Sequence, residues 1–266
     1  MRVLITGGNG FIAKEIHKYL KDEYEIHCLS KEQLNLLDKE SIQRTYIEFY
    51  DVVINAAVVG GWKEDEDNES IFYENILMME NLLSSLNDNQ ILINFSSGAE
   101  FRSDDTAYGL AKRITTRLVN ARKNSYNLRL YGCFSFNEGD ERFIKRCFSR
   151  NEVIINDDIE FDFFYSEDVA RVCKFLIDGG LRDQIRSNLN ENIKDIDCVY
   201  NKKYKLSDVA EIIKTNYKPE LEVAILNSFS NNSYTGNSRV LQNIEIFFED
   251  KLIGLEKGLE MVNEKY

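Results

Sequence analysis

Apolar positions along the first 130 residues alternate between two rhythms. Short, nearly continuous apolar runs at residues 2–6, 25–29, 51–55, 90–95 and 127–131 read as buried strands. Between them, apolar side chains recur every three or four residues. Ile12, Ile16, Tyr19 and Leu20 set that spacing over residues 10–21 and predict a helix. Similar patterns predict helices over residues 39–50, 69–86 and 108–124, the first of these with Asp38 as its N-cap. Strands separated by helices require right-handed crossovers, hence an α/β fold built on a doubly wound parallel sheet. Beyond about residue 132 the rhythm loosens. Shorter helices are predicted at 141–148, 167–178 and 208–216, with Ser166 and Ser207 placed to cap the last two, and a final helix from about residue 250. No repeat, low-complexity segment or linker interrupts the chain. It therefore reads as a core over residues 1–135 and a smaller lobe over 136–266, with one or more segments returning to the core.

Candidate chemistry begins where the first strand ends. Thr6-Gly7-Gly8-Asn9-Gly10-Phe11-Ile12-Ala13 is a glycine-rich turn opening a helix. Gly7 permits a sharp turn out of the strand, Gly10 permits close backbone approach to a pyrophosphate, and Ala13 lets the helix lie near the sheet. A glycine turn of this kind also serves as a plain strand–helix connector. A second constellation makes the dinucleotide reading specific: Ser97, then Tyr108-Gly-Leu-Ala-Lys112. Tyrosine and lysine four residues apart share one helix face. An ammonium beside a phenol favours the phenolate and suits the tyrosine for proton transfer. Ser97 follows the carboxyl end of a strand, where open α/β sheets place ligands, and its hydroxyl can hold a carbonyl oxygen. Alone, the Tyr–Lys pair also fits an ordinary solvated helix face.

Composition limits the partners. A net charge of −12 across 266 residues argues against nucleic acid or an anionic membrane surface as the main partner. Five scattered cysteines show no metal-ligand spacing, so no metal site is expected and free thiols in a reducing compartment are the expectation. With no apolar run of membrane-spanning length and a strand starting at residue 2, the expected location is the cytoplasm.

These motifs resemble the extended short-chain dehydrogenase/reductases that act on nucleotide sugars, the NAD-dependent epimerase/dehydratase family, and in particular its GDP-L-fucose synthase and dTDP-4-dehydrorhamnose reductase branches. The resemblance spans nearly the whole chain. It includes Lys31-Glu-Gln-Leu-Asn-Leu-Leu-Asp38, Val53-Ile-Asn-Ala-Ala-Val-Val-Gly-Gly61, Phe72-Tyr-Glu-Asn-Ile-Leu-Met-Met-Glu-Asn81 and Asp162-Phe-Phe-Tyr-Ser-Glu-Asp-Val-Ala170. Asn237-Ser-Arg239 and Gly254-Leu-Glu-Lys-Gly-Leu259 extend it toward the end. The resemblance implies a Rossmann sheet with a C-terminal substrate-binding lobe, and Ser97, Tyr108 and Lys112 as a catalytic triad with Tyr108 as proton donor. It places Gly7, Asn9, Gly10, Phe11, Ile12, Ser30, Lys31, Asn35, Leu36, Ala56, Ala57 and Val58, together with Tyr108 and Lys112, around the cofactor. Asn75 falls where the family keeps a helix asparagine near the catalytic centre; a polar residue on a half-exposed helix is the other reading. The implied substrate is a nucleotide-diphosphate sugar. The implied assembly is a homodimer through the helices at 69–86 and 108–124, whose apolar positions equally suit the core.

The departures sharpen the reaction. The fucose synthase branch epimerises with a cysteine two residues after the serine and a later histidine. Here Ala99 holds the first position, and Arg142 aligns with the second. His17 and His27, the two histidines, both lie in the N-terminal half. Gly98-Ala99 replaces the Asp-Glu pair of the dehydratases. Ketone reduction without C3/C5 epimerisation is the resulting expectation. A 4-epimerase holding NAD and a catalytically silent dinucleotide-binding protein are the alternatives. The second strand ends Cys28-Leu29-Ser30-Lys31 with no carboxylate before Glu32, which favours NADPH, with NADH as the alternative. Lys31 aligns with a phosphate-binding arginine, or is a solvated lysine. Ten residues separate Ser97 from Tyr108, so a substrate-side loop is trimmed. Phe161 replaces an arginine that commonly touches the diphosphate. Arg142, Lys145, Arg146 or Arg150 would supply that charge, with Arg142 and Arg150 as the substrate-binding candidates, or else the four form a solvated basic face.

Overall fold

The computed structural model describes residues 1–61, 67–102, 106–181, 193–229 and 232–266. Five strands, β1 (Arg2–Thr6), β2 (Glu25–Leu29), β3 (Val52–Asn55), β4 (Ile91–Ser97) and β5 (Ser125–Leu130), pair in parallel in the order 2-1-3-4-5. A strand from the second half of the chain, β10 (Asp195–Cys198), joins the sheet beside β5. The winding reverses at β1, because β2 lies on one side of it and β3 on the other. Doubly wound sheets hold their ligands at such a reversal, beyond the carboxyl ends of the strands. The expected Rossmann architecture is present.

The chain divides into two compact units, residues 1–130 with 170–196 and residues 131–169 with 197–266. In the first, helices α1 (Phe11–Leu20), α2 (Lys39–Thr45), α3 (Glu69–Ser85) and α4 (Ala107–Asn120) cross between strands. Its core gathers Leu4, Val53 and Leu92 from the strands with Ile42, Met79, Leu82 and Val119 from the helices. In the second, β6 (Gly132–Phe134) pairs with β9 (Phe163–Tyr165), β7 (Glu152–Asp157) with β11 (Glu222–Asn227), and β8 (Glu160–Phe161) with β12 (Ser233–Tyr234). Helices α5 (Phe143–Ser149), α7 (Leu206–Asn216) and α9 (Leu255–Asn263) close a separate core around Phe134, Phe148, Val209, Ile213 and Leu259. Helix α6 (Ser166–Ile177) spans the chain boundary between the units, and the short α8 (Arg239–Glu245) precedes α9.

Several predicted boundaries move, each for a local reason. The helix expected over 39–50 ends at Thr45, because Tyr46 turns left-handed (φ 50°), and a 3-10 turn follows at Ile47–Phe49. Asp38 does cap it, accepting from the Glu40 amide. The last helix starts at Leu255 rather than near 250, because Gly254 at φ 85° breaks the chain just before it. Ser207 is not a cap: α7 begins at Leu206 behind Lys205, and the Ser207 amide and hydroxyl both bond to Asp158. Ser166 is the first residue of α6.

One feature of the sheet had no counterpart in the hydrophobic pattern. Asn55, Asn94 and Asn127 occupy matched positions on β3, β4 and β5, beside Thr6 of β1. The Thr6 hydroxyl donates to the Asn55 carbonyl at 2.7 Å, the Asn55 amide to Asn94 at 3.0 Å, and the Asn94 amide to Asn127 at 2.8 Å. The Asn127 amide ends the row on Asn120 and Asp195, at 3.0 Å each. All four ladder residues are buried, so each amide satisfies its neighbour where water is absent.

Candidate active site

The candidate cofactor cradle is built by contact between three strand ends. Gly7 turns left-handed at φ 67°, and a Cβ there would lie 2.8 Å from the Ala56 carbonyl and from Ala57. A Cβ on Gly8 would meet the Cys28 carbonyl at 2.9 Å, so the loop is pressed against the end of β2 as well. The Gly8 amide donates to Leu29 and the Gly10 amide to Gly7, at 2.7 and 2.8 Å. No side chain caps α1, whose N-cap is Gly10, and its first turn carries no acid. Its opening amides, at Phe11 and Ile12, therefore suit a phosphate. Gly7, Gly10, Phe11, Ile12, Ala56, Ala57 and the β2 end are thus brought together, with Asn9 in the same loop and exposed. Gly8 is an addition: its need for glycine depends on how close β2 approaches, which the sequence does not show.

Further along, Leu36 is buried and its carbonyl accepts from Asn81 at 2.9 Å, while the Asn35 side chain accepts from the Leu37 amide. Val58 is exposed. Asn75 is buried rather than half-exposed, and its carboxamide grips both backbone groups of Val59, at 3.2 and 2.8 Å. It fixes the segment leaving β3, which continues into Gly60 and Gly61 at φ 75° and 88°.

Gly61 positions the tyrosine. A Cβ there would collide with the Tyr108 ring at 2.7 Å, so the phenol packs directly on glycine backbone. Tyr108 stands in the first turn of α4, where Thr106 caps the Gly109 amide and Asp67 accepts from the amides of Ala107 and Tyr108. One turn on, Lys112 is buried, and its ammonium donates to the Phe95 carbonyl at 2.7 Å and lies 5.7 Å from the Tyr108 ring centre. Burial pushes the Lys112 pKa down to about 8, and the Glu100 carboxylate works against that shift. Ser97 is the last residue of β4, two positions beyond Phe95, and its hydroxyl accepts from the Ala99 amide at 3.2 Å. Lys112 thus links the two other candidates: it bonds to the strand that ends in Ser97 and lies one helical turn from Tyr108.

The NAD dependent epimerase/dehydratase family model matches residues 3–190, which hold the cradle, the asparagine ladder and all three of these residues. The chain belongs to that family. No curated protein matches it at a significant level of sequence similarity. Solved structures of the same fold include GDP-mannoheptose C4 reductase from Campylobacter jejuni with NADP bound (16% identity, TM-score 0.80, 100% of this chain and 98% of that one). Others are a GDP-L-fucose synthetase from Naegleria fowleri bound to NADP (16%, 0.75, 99% and 91%) and a dTDP-4-dehydrorhamnose reductase from Clostridium acetobutylicum (18%, 0.75, 99% and 98%). An epimerase and a dehydratase of nucleotide sugars share the fold too. The family assignment rests on the sequence match, and these solved structures, at 16–18% identity, share the fold.

Within the family frame, the remaining candidates have definite partners. Arg142 donates to Glu138 at 2.9 Å and to the Cys133 carbonyl at 2.8 Å, and Arg150 donates to Glu141 at 2.7 Å. Lys145 donates to the Phe136 carbonyl and Arg146 to that of Ile154. All four are tied within the second unit. Phe161 lies against Phe163 and Tyr234, with ring centres 4.7 and 5.1 Å away, and fills the space left by Gly132. At the end of β2, the Ser30 hydroxyl donates to Glu32 at 2.6 Å, a bond that holds the carboxyl below its usual range, while Lys31 is exposed. Cys133, Cys147, Cys173 and Cys198 are buried, and burial pushes the thiols of Cys147, to about 12, and of Cys173 upward. No helix of the described residues is long and apolar enough to cross a membrane.

Proposed function

We propose that the protein reduces the 4-keto group of a nucleotide-linked 4-keto-6-deoxy sugar with NADPH, without epimerising C3 or C5, to supply surface-polysaccharide precursors. The observation that carries this reading is the Ser97–Tyr108–Lys112 group with Ala99 beside it. The cysteine and histidine that exchange carbon-bound protons in the fucose synthase branch are replaced here by Ala99 and Arg142. His27, on β2, bonds to the Tyr50 hydroxyl, His17 lies on α1, and four of the five thiols are buried.

When bound, the dihydronicotinamide supplies hydride to the ketone carbon. Ser97 and Tyr108 hold the ketone oxygen, and Tyr108 gives it the proton that balances the new C–H bond. Lys112, an ammonium at neutral pH, stabilises the phenolate left behind until solvent reprotonates it. Gly61 and Asn75 fix the phenol and the adjoining backbone.

The test is cofactor oxidation against a panel of nucleotide-linked 4-keto-6-deoxy sugars. Oxidation dependent on the sugar supports the reading. Interconversion of C4 epimers with no net oxidation would replace it with the epimerase. No turnover by any member would leave a binding protein.

Cofactor preference follows from the β2 end. Lys31 is the cation available to a 2′-phosphate, and Glu32 is drawn back onto Ser30. A charge-assisted bond of about 1.4 kcal/mol at an exposed site corresponds to about tenfold in affinity. Lys31→Ala should therefore weaken NADPH binding about tenfold and leave NADH binding unchanged; equal effects on both would refute the assignment.

Two copies of the chain are expected to pair through α3 and α4. Tyr73 and Leu77 on α3 are 63% and 41% exposed, and Leu118 on α4 is 38% exposed. Mass measurement in solution should give a dimer, and Leu77→Glu a monomer.

A further inference from the structure

A chain of charges, Glu100 and Arg129 buried and Asp195 partly so, adjoins the strand that ends in Ser97. Glu100 occupies the 3-10 turn at Gly98–Phe101, directly after the Ser97 strand end, and is 4% exposed. Its carboxylate is ion-paired with Arg129 of β5 and accepts from the Ser96 hydroxyl at 3.2 Å. Arg129, also buried, reaches on to Asp195 of β10 at 3.3 Å and stacks over the Phe101 ring at 4.5 Å. The turn and the end of β4 are each fastened to α4 by one bond. Arg113 donates to the Glu100 carbonyl at 2.9 Å, and Thr116 donates to Ser96 at 2.8 Å. Lys112 lies on the same helix and donates to Phe95, the residue before Ser96. Glu100 and Lys112 are therefore held at neighbouring positions of one strand end, both out of water.

An ammonium buried without a countercharge sheds its proton. Facing Lys112 are Glu100 from the turn and Tyr108 from its own helix, and β4 offers the Phe95 carbonyl. Asp67 reaches α4 at the amides of its first turn. Facing Glu100 are Arg129, Asp195 and, through the backbone, Arg113. Burial favours the neutral acid at Glu100, and Arg129 opposes it. The charges alternate in sign, and each keeps the next ionised.

We infer that Glu100 is a positioning residue that, held charged by Arg129, keeps Lys112 as an ammonium and so sets the alkaline limit of Tyr108-dependent turnover. This rests on the reading of Ser97, Tyr108 and Lys112 as the catalytic group. The sign follows from the charges. Removing the Glu100 carboxylate weakens proton binding at Lys112, so the lysine titrates at lower pH and activity fails earlier as pH rises. Nearby opposite charges move such equilibria by about one to three pH units.

The experiment pairs two readouts on wild type, Glu100→Gln, Glu100→Asp and the double variant Glu100→Gln/Arg129→Met. The double variant also removes the buried Arg129 guanidinium that the single one would leave without its Glu100 partner, should the single one fold poorly. The first readout is the titration of Lys112 by NMR of carbon-labelled lysine, its signal identified by its absence in Lys112→Gln. The second is the pH profile of kcat. The expected result is a lysine midpoint near 8 in wild type, about one unit lower or more in both Gln variants, and restored in Glu100→Asp, with the alkaline limb moving in parallel. An unmoved midpoint overturns the role of Glu100 whatever the turnover. A shifted midpoint with an unmoved alkaline limb overturns its control of the reaction. Absence of turnover in wild type counts against the proposed function, and the titration still decides whether Glu100 holds the proton on Lys112.

Discussion

Tyr108→Phe should lower kcat for sugar reduction by about 10²–10⁴-fold, the range for losing a positioned general acid, with cofactor affinity nearly unchanged. The substitution removes one oxygen and leaves the ring. The ring's seat against the Gly61 backbone persists, as do the Thr106 and Asp67 caps that start α4. Lys112 keeps its bond to the Phe95 carbonyl, since that bond does not involve the phenol. The loss therefore falls on protonation of the oxygen, about 3–5 kcal/mol of barrier. Ser97→Ala should cost less, because the hydroxyl orients the ketone and donates no net proton. Single-turnover measurement at saturating cofactor checks both. A Tyr108→Phe enzyme within threefold of wild type would mean that another group supplies the proton.

Asn94→Leu should be the most damaging single change to the fold among those considered. Leucine matches the side-chain volume and leaves no large cavity. It strands the Asn55 amide, which loses its acceptor, and the Asn127 carbonyl, which loses its donor, both in the buried middle of the sheet. Each orphaned group costs about 1–3 kcal/mol, so the sum is about 2–6 kcal/mol. That is a large share of the ~5–15 kcal/mol that holds a typical domain together. The ladder also ties the Thr6 end of the glycine loop to the β5–β10 edge, because Thr6 starts the row and also receives the Ala57 amide. Destabilisation should therefore spread to cofactor binding. Thermal unfolding with and without cofactor checks this; a melting temperature equal to that of wild type would show that water or rearrangement satisfies the row.

How much of this was legible in the chain depends on the range of each interaction. The first half could be read because strands buried on both faces are apolar runs, and amphipathic crossovers mark the turns between them. The glycine loop and the Tyr108–Lys112 spacing are local, so they could be read too. Ser97 needed only the strand before it. The second half pairs strands of two or three residues, such as Gly132–Phe134 with Phe163–Tyr165, and joins β7 to β11 across some seventy positions. No local pattern encodes such partners. The same applies to Arg129, which finds Glu100 29 residues away and Asp195 66 away. The asparagines at 55, 94 and 127 did carry a signal. Amides are poor strand formers, and three of them inside apolar runs are costly unless they face one another. Arg142 and Arg150 are the sequence candidates for the charge that Phe161 replaces, and Glu138 and Glu141 hold them.

The central claim, reduction at C4 without exchange at C3 or C5, is tested most directly by isotope transfer. The enzyme would be run in D₂O with unlabelled NADPH, and in H₂O with NADPH deuterated at the transferable position, on a nucleotide-linked 4-keto-6-deoxy sugar. The account predicts one deuterium at C4 from the labelled cofactor, and none at C3 or C5 from solvent. Solvent deuterium at C3 or C5, or C4 label returned to the cofactor with both C4 epimers formed, would contradict it.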